Sequence, residues 1–541
     1  MHKRPLAVIS VFFIIGIVLG RFMPDSVKLF HVFVATLIFI ALTLILSLIG
    51  KGRGGFQTRP YGSENSARSS LTLAPLLHAF LFLSIISAGS LLYLNSDIFP
   101  LNHISHTFAP IAIGAQYSAQ RTTSFSPDGL HFLGKDKVKA EIIGIIKGPA
   151  EARGVYYGKV NSRYVFEIEN INGLKMTGLA LIRIQTEKDY QYGDRLLIKG
   201  VIKRPVGVDS RFRGNDKAGR GNDKNNGNDN KRFNYREYLE RRNIFAIINA
   251  SEKNVILLAH NYKVNPVLYY AYLVREKIKN KFLEKMPLES GAFLRAILLG
   301  DRSELPKRLR ESFRNSGTMH ILAISGLHVA LIAAAFLYFF KLIRLKRKIS
   351  YALTMLFLVF LMMLTGSNAS VVRATVMCIV FLTGILLGRQ VDGYNSLGSA
   401  ALFILVANPK DIFNVGFQLS FIAVLSMIYL TPKLMLVVKK EWNFYLRRYL
   451  LEPFSVSVSA TSGTFPFILY YFRMAAPIAI ISNIFIVPLM FILMIGGMCF
   501  IALGWMPFIG ELISCFNNAI TNIIFFLAEF FAGVKFGHFN I

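Results

Sequence analysis

The chain alternates between long apolar runs and polar segments, and this pattern predicts membrane helices. Three apolar runs occupy residues 6–22, 29–49 and 71–94. About eight more follow the middle of the chain, at 321–340, 351–364, 371–387, 397–407, 413–430, 449–471, 477–503 and 508–531. A helix needs about 20 apolar residues to cross a bilayer. The pattern therefore predicts a polytopic α-helical membrane protein with about 10–12 spans.

Two of these apolar segments depart from a simple span. The segment 397–407 is too short to cross a bilayer upright, so we interpret it as re-entrant, a form that survives only when buried in protein or lining water. The segment 477–503 is long and contains Pro488, and we expect two broken halves around that proline.

The stretch between the third and fourth apolar runs has a different composition. It contains short runs rich in β-branched and aromatic residues, separated by turn residues, at 138–146, 164–171, 176–185, 195–201 and 244–248. Such runs predict a small all-β barrel or sandwich over residues 135–255. Within it, residues 207–231 repeat Gly-Asn-Asp three times and hold little apolar surface. We interpret 207–231 as a disordered low-complexity insertion.

The distribution of basic residues predicts the orientation of the chain. Lys3 and Arg4 precede the first apolar run, and Lys51 and Arg53 follow the second. Because Lys and Arg concentrate in cytoplasmic loops, the N-terminus is expected in the cytoplasm and the β-rich region outside it. The formal net charge of +30 suits a polyanionic partner or anionic lipid and does not choose between them.

Catalytic and metal-binding signals are weak. The cysteines Cys378, Cys499 and Cys515 all lie in apolar runs, which predicts neither a disulfide framework nor a cysteine metal site. The chain contains no Gly-x-x-x-x-Gly-Lys-Ser/Thr loop for nucleotide hydrolysis. Ser325 and His328 share a helix face, but neither an acidic orienting residue nor an oxyanion motif accompanies them. We therefore expect no enzymatic activity, no cofactor and no metal site.

Polar residues inside the apolar runs are the main functional candidates, because ionisable groups at membrane depth are costly. The candidates to line a path through the membrane are His320, Ser325, His328, Asn368, Arg373, Gln418 and Asn483. The alternative is that these groups hold helices together, as serines and threonines in bundles do. Arg373 could also extend to the membrane surface from a loop.

Three separated motifs point to one family. Residues 296–305 read AILLGDRSEL, residues 320–328 read HILAISGLH and residues 414–421 read NVGFQLSF. These motifs, in this order, resemble the ComEC competence family of inner-membrane channels for DNA uptake. The resemblance extends over nearly the whole chain.

The resemblance implies a domain organisation. It divides the chain into N-terminal transmembrane helices, an extracytoplasmic OB-like domain, amphipathic or interfacial helices and a transmembrane channel core, at 1–96, 135–255, 264–316 and 317–541. The OB-like assignment follows from residues 192–195, which read YGDR before Gly200, as at the family's fourth strand. The segment 233–239 departs from the family pattern, with Asn234 where the family has Asp.

An OB-like barrel often binds single strands through basic groups and stacked aromatic rings. Candidates for DNA binding in this domain are Lys139, Lys147, Tyr156, Tyr157, Lys159, Arg163 and Arg183. The alternative is a solvated basic face with a few tyrosines in the barrel core.

The function that the resemblance implies is passage of single-stranded DNA across the bacterial inner membrane during natural transformation. The alternatives are a transporter of another anionic envelope substrate and a non-transporting envelope scaffold. Many relatives carry a C-terminal metallo-β-lactamase-like domain; we expect none in this chain, and we therefore expect nuclease activity from another protein. A DNA receptor, a cytoplasmic ATPase and the lipid bilayer are the other expected partners, and homo-oligomerisation stays open.

Overall fold

A computed structural model gives the structure of most of the chain. It describes residues 5–23, 29–52, 73–96, 131–132, 137–150, 152–156, 159–186, 188, 190–205, 235–389, 391–437, 444–534, 537 and 539–540. The insertion predicted at 207–231 lies outside the described residues. The chain divides into two compact units, the first comprising Met1–Ile98 and Ile379–Gln418, the second Phe99–Cys378 and Leu419–Ile541.

Helices make up most of the described chain. Those before and within the β-rich region are α1 (Pro5–Phe22), α2 (Leu29–Gly52), α3 (Leu73–Asn95) and α4 (Tyr235–Arg241). The next group is α5 (Pro266–Lys285), α6 (Leu288–Leu299), α7 (Lys307–Asn315), α8 (Gly326–Leu342), α9 (Arg347–Leu364) and α10 (Ala369–Leu386). The last group is α11 (Gly393–Ala407), α12 (Val415–Val437), α13 (Glu452–Phe472), α14 (Ala479–Leu503) and α15 (Pro507–Ala532).

Six of the described helices are long and apolar enough to cross a membrane, namely α1, α9, α10, α12, α14 and α15. Shorter apolar helices occupy His31–Thr43, Leu81–Asn95, Gly326–Leu342 and Gly393–Ala407. The chain is thus a polytopic membrane protein, although long helices alone do not reach the predicted 10–12 spans. The predicted break at Pro488 is wrong, because α14 continues through this proline. A membrane helix tolerates proline where neighbouring groups satisfy the freed carbonyl.

Small residues bring the helices of the first unit into close contact. Gly16 of α1 lies against the backbone of Ile86 in α3, and the hydroxyl of Ser90 donates to the carbonyl oxygen of Gly16 at 2.7 Å. The hydroxyls of Thr36 and Ser87 join α2 to α3 at 2.6 Å. Small residues that allow backbones to approach are typical of helix contacts in membranes, where burial in lipid supplies no driving force between helices.

The β-rich region forms one connected sheet in the second unit. Its strands are β1 (His131–Phe132), β2 (Lys137–Ile146), β3 (Ala152–Tyr156), β4 (Lys159–Ile171), β5 (Leu174–Lys175), β6 (Leu179–Gln185), β7 (Arg195–Lys203), β8 (Ile244–Ser251) and β9 (Val255–Ala259). A separate pair at the end of the chain joins β10 (Met474–Ala475) to β11 (Phe539–Asn540).

Five strands close into a small barrel. The pairings run β2–β4–β6–β8–β7, and β7 returns to β2, so the circuit is complete. Only the β6–β8 pair is parallel within this circuit. Alternate residues of each strand point inward, and the fully buried side chains of Ile142, Tyr164, Phe166 and Ile198 fill the interior. The barrel predicted from the sequence pattern is confirmed.

A short helix covers part of the outer face of this barrel. Leu239 of α4 packs in a buried cluster with Leu181 of β6 and with Ile244 and Ile247 of β8. This apolar contact explains why the outward-facing residues of β6 and β8 are not all polar. The surface of the barrel that remains for a ligand is correspondingly smaller.

An aromatic cluster anchors the helical core of the second unit. Phe293 of α6 stacks on Phe313 of α7 with 5.4 Å between ring centroids, and Phe525 of α15 meets it edge-on at 5.1 Å. Every residue of α6 from Ser290 to Leu299 is buried. The core therefore forms around α6, which precedes the HILAISGLH motif in the chain.

Candidate functional site

Several helix ends meet in the second unit, around the turn that follows α6. Gly300 has a positive φ of 74°, and a β-carbon there would lie 3.0 Å from Nδ2 of Asn368 and 3.3 Å from Cδ1 of Ile324. Gly326, the first residue of α8, faces Ala374 of α10, with 3.8 Å between a β-carbon placed on Gly326 and that of Ala374. We call this region the helix-end junction, and it comprises residues 299–301, 323–328 and 364–374.

A buried arginine from α5 joins two of these helix ends. One guanidinium nitrogen of Arg275 donates to the carbonyl oxygen of Leu299 at 2.7 Å and to that of Leu364 at 2.9 Å. The last carbonyls of a helix have no partner within the helix. Arg275 supplies that partner to both α6 and α9, so it holds the two helix ends together.

The HILAISGLH motif forms a break between two helical segments. Residues Met319–Leu322 make a 3₁₀ turn, and α8 begins after Ser325. The backbone N–H of Ser325 donates to Nδ1 of His328 at 2.9 Å, and the Ser325 hydroxyl lies 3.0 Å from the same nitrogen. His328 thus takes the place that glutamate or glutamine has in a capping box. Because Nδ1 accepts a hydrogen bond from the backbone N–H of Ser325, the neutral imidazole carries its proton on Nε2.

The junction contains charges of both signs, because the C-termini of α6 and α9 and the carboxyl group of Asp301 lie there together with Arg275, Arg373 and two helix N-termini. Both α8 and α10 begin there, and each helix N-terminus carries about half a positive charge. Arg373 lies in α10, next to Ala374, and is only 6% exposed. The sequence contains no Asp or Glu from residue 312 to residue 391. A buried cation beside two helix N-termini favours an anionic group at this place.

The junction holds four of the seven candidates predicted to line a path, and these are Ser325, His328, Asn368 and Arg373. His328 is buried, Ser325 is partly buried and Asn368 is exposed. The Nδ2 of Asn368 donates to the carbonyl oxygen of Thr365 at 3.1 Å. Their role as path-lining residues stays a prediction.

The other three candidates lie elsewhere in the chain. His320 is exposed in the 3₁₀ turn before α8. The Nδ2 of Asn483 in α14 is 3.4 Å from the hydroxyl of Ser457, and its Oδ1 is buried without a partner among the described residues. Gln418 belongs to the first unit, where its side chain donates to the carbonyl oxygen of Ile412 at 3.0 Å.

The serine-rich face of α13 acts in helix packing. Ser455, Ser457 and Ser459 are all buried. The hydroxyl of Thr431 in α12 donates to that of Ser459 at 3.0 Å, while Ser457 contacts α14 through Asn483. These hydrogen bonds join neighbouring helices, as serines and threonines often do in membrane helix bundles.

Two arginines of the barrel lie directly opposite each other. Arg163 on β4 and Arg183 on β6 are register partners in the antiparallel ladder. Arg163 is exposed, while Arg183 is partly buried and donates to the hydroxyl of Tyr235 at 3.4 Å. Like charges in this relation destabilise a sheet unless an anion compensates them. This pair is therefore the barrel's best-placed candidate for a phosphate contact.

The remaining barrel candidates are dispersed. Lys139 is exposed on β2, and Lys147 pairs with Glu167 at 2.6 Å. Three more candidates are Tyr156 at the end of β3, Lys159 at the start of β4, and Tyr157. Tyr156 and Lys159 are register partners, and Tyr157 lies outside the described residues. The described candidates thus do not all share one strand pair.

Two buried polar features escaped the sequence analysis. Arg295 is fully buried in α6 and forms a bidentate ion pair with Glu304, in which Nη1 of Arg295 donates to Oε1 of Glu304 at 3.2 Å. Asn517 in α15 is also fully buried, and neither of its amide atoms has a partner among the described residues. Neither residue belongs to one of the three sequence motifs, although both interrupt apolar runs.

The helix cap predicts the effect of substitutions at His328. His328→Ala removes the acceptor for the Ser325 N–H and is expected to cost about 0.5–2 kcal/mol of stability. His328→Gln restores an acceptor at the same helical position and should recover most of that loss. Thermal unfolding of the purified full chain in detergent measures the stability of both variants. The control is Tyr338→Ala, a substitution at an exposed position on the same helix. Equal destabilisation by Gln and Ala would contradict the cap.

Among the described residues, no group of three or more His, Cys, Asp or Glu side chains is placed to hold a metal ion. The expected lack of enzymatic activity stays a prediction. What the junction offers chemically is electrostatic, namely a buried guanidinium and two helix N-termini next to exposed amide and hydroxyl groups.

The C-terminal half of the chain matches a described family. Residues 297–541 match the family model described as Competence protein. ComE operon protein 3 of Bacillus subtilis (strain 168) is 30% identical over 307 residues, which are 54% of this chain and 37% of that protein. An uncharacterized protein of Aquifex aeolicus (strain VF5) is 28% identical over 262 residues, 48% of this chain and 59% of that protein.

A third relative covers less of the chain. The uncharacterized protein YcaI of Escherichia coli (strain K12) is 28% identical over 150 residues, 26% of this chain and 20% of that protein. The chain thus spans between 20% and 59% of the length of these relatives. No solved structure matches the chain. The helix-end junction lies wholly within the segment that matches the family model.

Proposed function

We propose that this chain, which belongs to the ComEC-type competence-protein family, is a channel subunit that passes single-stranded DNA across the inner membrane of a bacterium. The family resemblance, predicted from three motifs, is confirmed by the match over residues 297–541 and by the 30% identity to ComE operon protein 3. In this proposal the bilayer surrounds the helical core. Separate proteins supply the DNA receptor, the nuclease and the cytoplasmic ATPase, and the chain itself carries out no chemistry.

The observation that carries the proposal is the helix-end junction. A stacked DNA strand carries one phosphate about every 3.4 Å, so a hydrocarbon core about 30 Å thick encloses about nine charges. At about 3 kcal/mol each, lipid alone would oppose the strand by tens of kcal/mol. A path must therefore supply water and positive potential. Arg373 and the N-termini of α8 and α10 supply that potential at one place inside the matched segment.

We further propose that the barrel is OB-like and receives the strand before it enters the core. The circuit β2–β4–β6–β8–β7 has the strand order of a five-stranded Greek-key barrel. OB barrels bind through the face formed by their second and third strands, which are β4 and β6 here. The opposed Arg163 and Arg183 lie on those two strands, beside the part of the face that α4 covers.

A transporter of another anionic envelope substrate would use the same junction and is the second candidate. The two functions differ in what enters the cell. A non-transporting scaffold requires no junction of helix ends, so the geometry favours either transporter over it.

Uptake of labelled DNA tests the proposal. A strain lacking this chain is expected to bind double-stranded DNA at its surface but to internalise none of the label. Restoring the full chain should restore internalisation, while a variant truncated before residue 297 should not. Normal internalisation by the deletion strain would overturn the proposed function.

Cysteine labelling tests the orientation that we propose for the barrel. Lys199 of β7 and Lys348 of α9 are both exposed. In a variant whose three natural cysteines are replaced, a membrane-impermeant maleimide should label Lys199→Cys in spheroplasts and Lys348→Cys only after the membrane is opened. The reverse pattern would place the barrel in the cytoplasm.

A further inference from the structure

A cavity of about 200 Å³ lies in the second unit, where the barrel meets α5. Its walls come from the barrel loops at 149–150 and 190–192, from one side of α5, and from the turn at 301–304. The same turn begins at the helix-end junction. The cavity therefore lies between the two parts of the chain that the proposed function assigns to DNA.

Tyrosines form a large part of the cavity wall. Tyr190 and Tyr192 come from the barrel, and Tyr269 and Tyr272 from α5. The rings of Tyr192 and Tyr272 meet edge-to-face with 5.3 Å between their centroids. Such a wall favours a flat ring system, because every base has a face that stacks on an aromatic side chain.

The charged groups of the wall are already compensated. Lys279 pairs with Glu276 at 3.3 Å, and the guanidinium of Arg275 donates to two backbone carbonyls. Burial opposes ionisation of Asp301, yet hydrogen bonds from the hydroxyl and N–H of Ser303 hold the pKa of that carboxyl below its usual value. The cavity therefore does not favour a phosphate or a free cation.

The wall also offers neutral hydrogen-bonding groups. The side chains of Gln191, Asn280 and Tyr272 line the cavity, and among the described residues none of the three has a hydrogen-bond partner for its side chain. Burial raises the pKa of the Tyr272 phenol, so its hydroxyl keeps its proton. Amide and hydroxyl groups can pair with both the donors and the acceptors on the edge of a base.

We propose that this cavity binds a single nucleobase of the DNA strand, turned out of the strand between the barrel and the helical core. The proposal rests on the proposed function and adds a base-binding site to it. The volume supports one ring system, because cavities for drug-sized ligands are larger, at about 300–1,000 Å³. A base held here would keep the strand in register as it passes from the barrel to the junction.

Binding of two strands that differ only in their bases tests the proposal. The full chain in lipid nanodiscs is titrated with a fluorescent oligodeoxynucleotide and with a strand of the same length in which every base is absent. Tyr272→Ala is expected to weaken binding of the normal strand about tenfold and to leave binding of the abasic strand unchanged. The control is Tyr270→Ala, a neighbouring tyrosine that is 65% exposed and does not line the cavity.

A second variant distinguishes loss of the base site from a folding defect caused by Tyr272→Ala. Asn280→Trp fills the cavity from an exposed position on α5 and should reproduce the base-selective loss. If both variants weaken both strands equally, or change neither, the cavity binds no base and the proposal is overturned, although the proposed function stands. If the unmodified chain binds neither strand, the proposed function itself fails and the base site fails with it.

Discussion

The Glu304→Ala substitution is expected to lower the stability of the full chain by about 2–4 kcal/mol. It removes the carboxylate that compensates Arg295, whose guanidinium is fully buried in α6. A buried charge without its partner costs far more than the intact pair contributes. We place the loss slightly below the range for fully buried pairs, because the Glu304 side chain is 39% exposed and admits some water.

Two further variants separate charge from packing. Arg295→Met combined with Glu304→Ala removes both charges and should recover most of the lost stability, because an apolar chain of similar length fills the site. Glu284→Ala, an exposed acidic position on α5, should leave the melting temperature unchanged. Thermal unfolding in detergent measures all of them. An unchanged melting temperature for Glu304→Ala would show that Arg295 finds another partner.

The barrel could be predicted from the sequence because each of its main strands has a recognisable local sequence pattern. The runs 138–146 and 195–201 are rich in β-branched and aliphatic residues and are bounded by turn residues, which predicts strands, and the structure pairs these segments as β2 and β7. The edge strand β9 was not predicted, because residues 255–259 read VILLA, a short apolar run without alternation, although the structure exposes Ile256, Leu257 and Leu258. The alternation of apolar and polar residues identifies only strands that bury one face, and β9 buries neither.

Only part of the helix-end junction could be predicted from the sequence. The polar residues of its motifs could be identified, because they interrupt apolar runs. The link between the helix ends could not be identified, because Arg275 donates to carbonyl oxygens of residues 24 and 89 positions away in the chain. The i, i+3 spacing of Ser325 and His328 fits a shared helix face and a capping box equally well. The structure decides for the cap by placing Ser325 just before α8.

Arg373→Ala is expected to reduce DNA internalisation at least about tenfold while the protein inserts in the membrane at its normal level. The substitution removes the buried cation beside the N-termini of α8 and α10, where the strand's phosphates are proposed to pass. Arg373→Lys keeps a positive charge and should retain part of the activity, although a lysine cannot contact a phosphate with two parallel N–H groups.

The matched control for Arg373 is Arg389→Ala, an exposed arginine just beyond the end of the same helix. Removing it takes away the same charge from the chain but not from the junction, so internalisation should stay normal. The assay is internalised label per molecule of membrane-inserted protein, with surface-bound DNA measured in parallel. Normal internalisation per molecule in Arg373→Ala would exclude a required role for this cation in the path. Equal losses in both arginine variants would instead indicate that overall charge, rather than its position at the helix ends, governs passage.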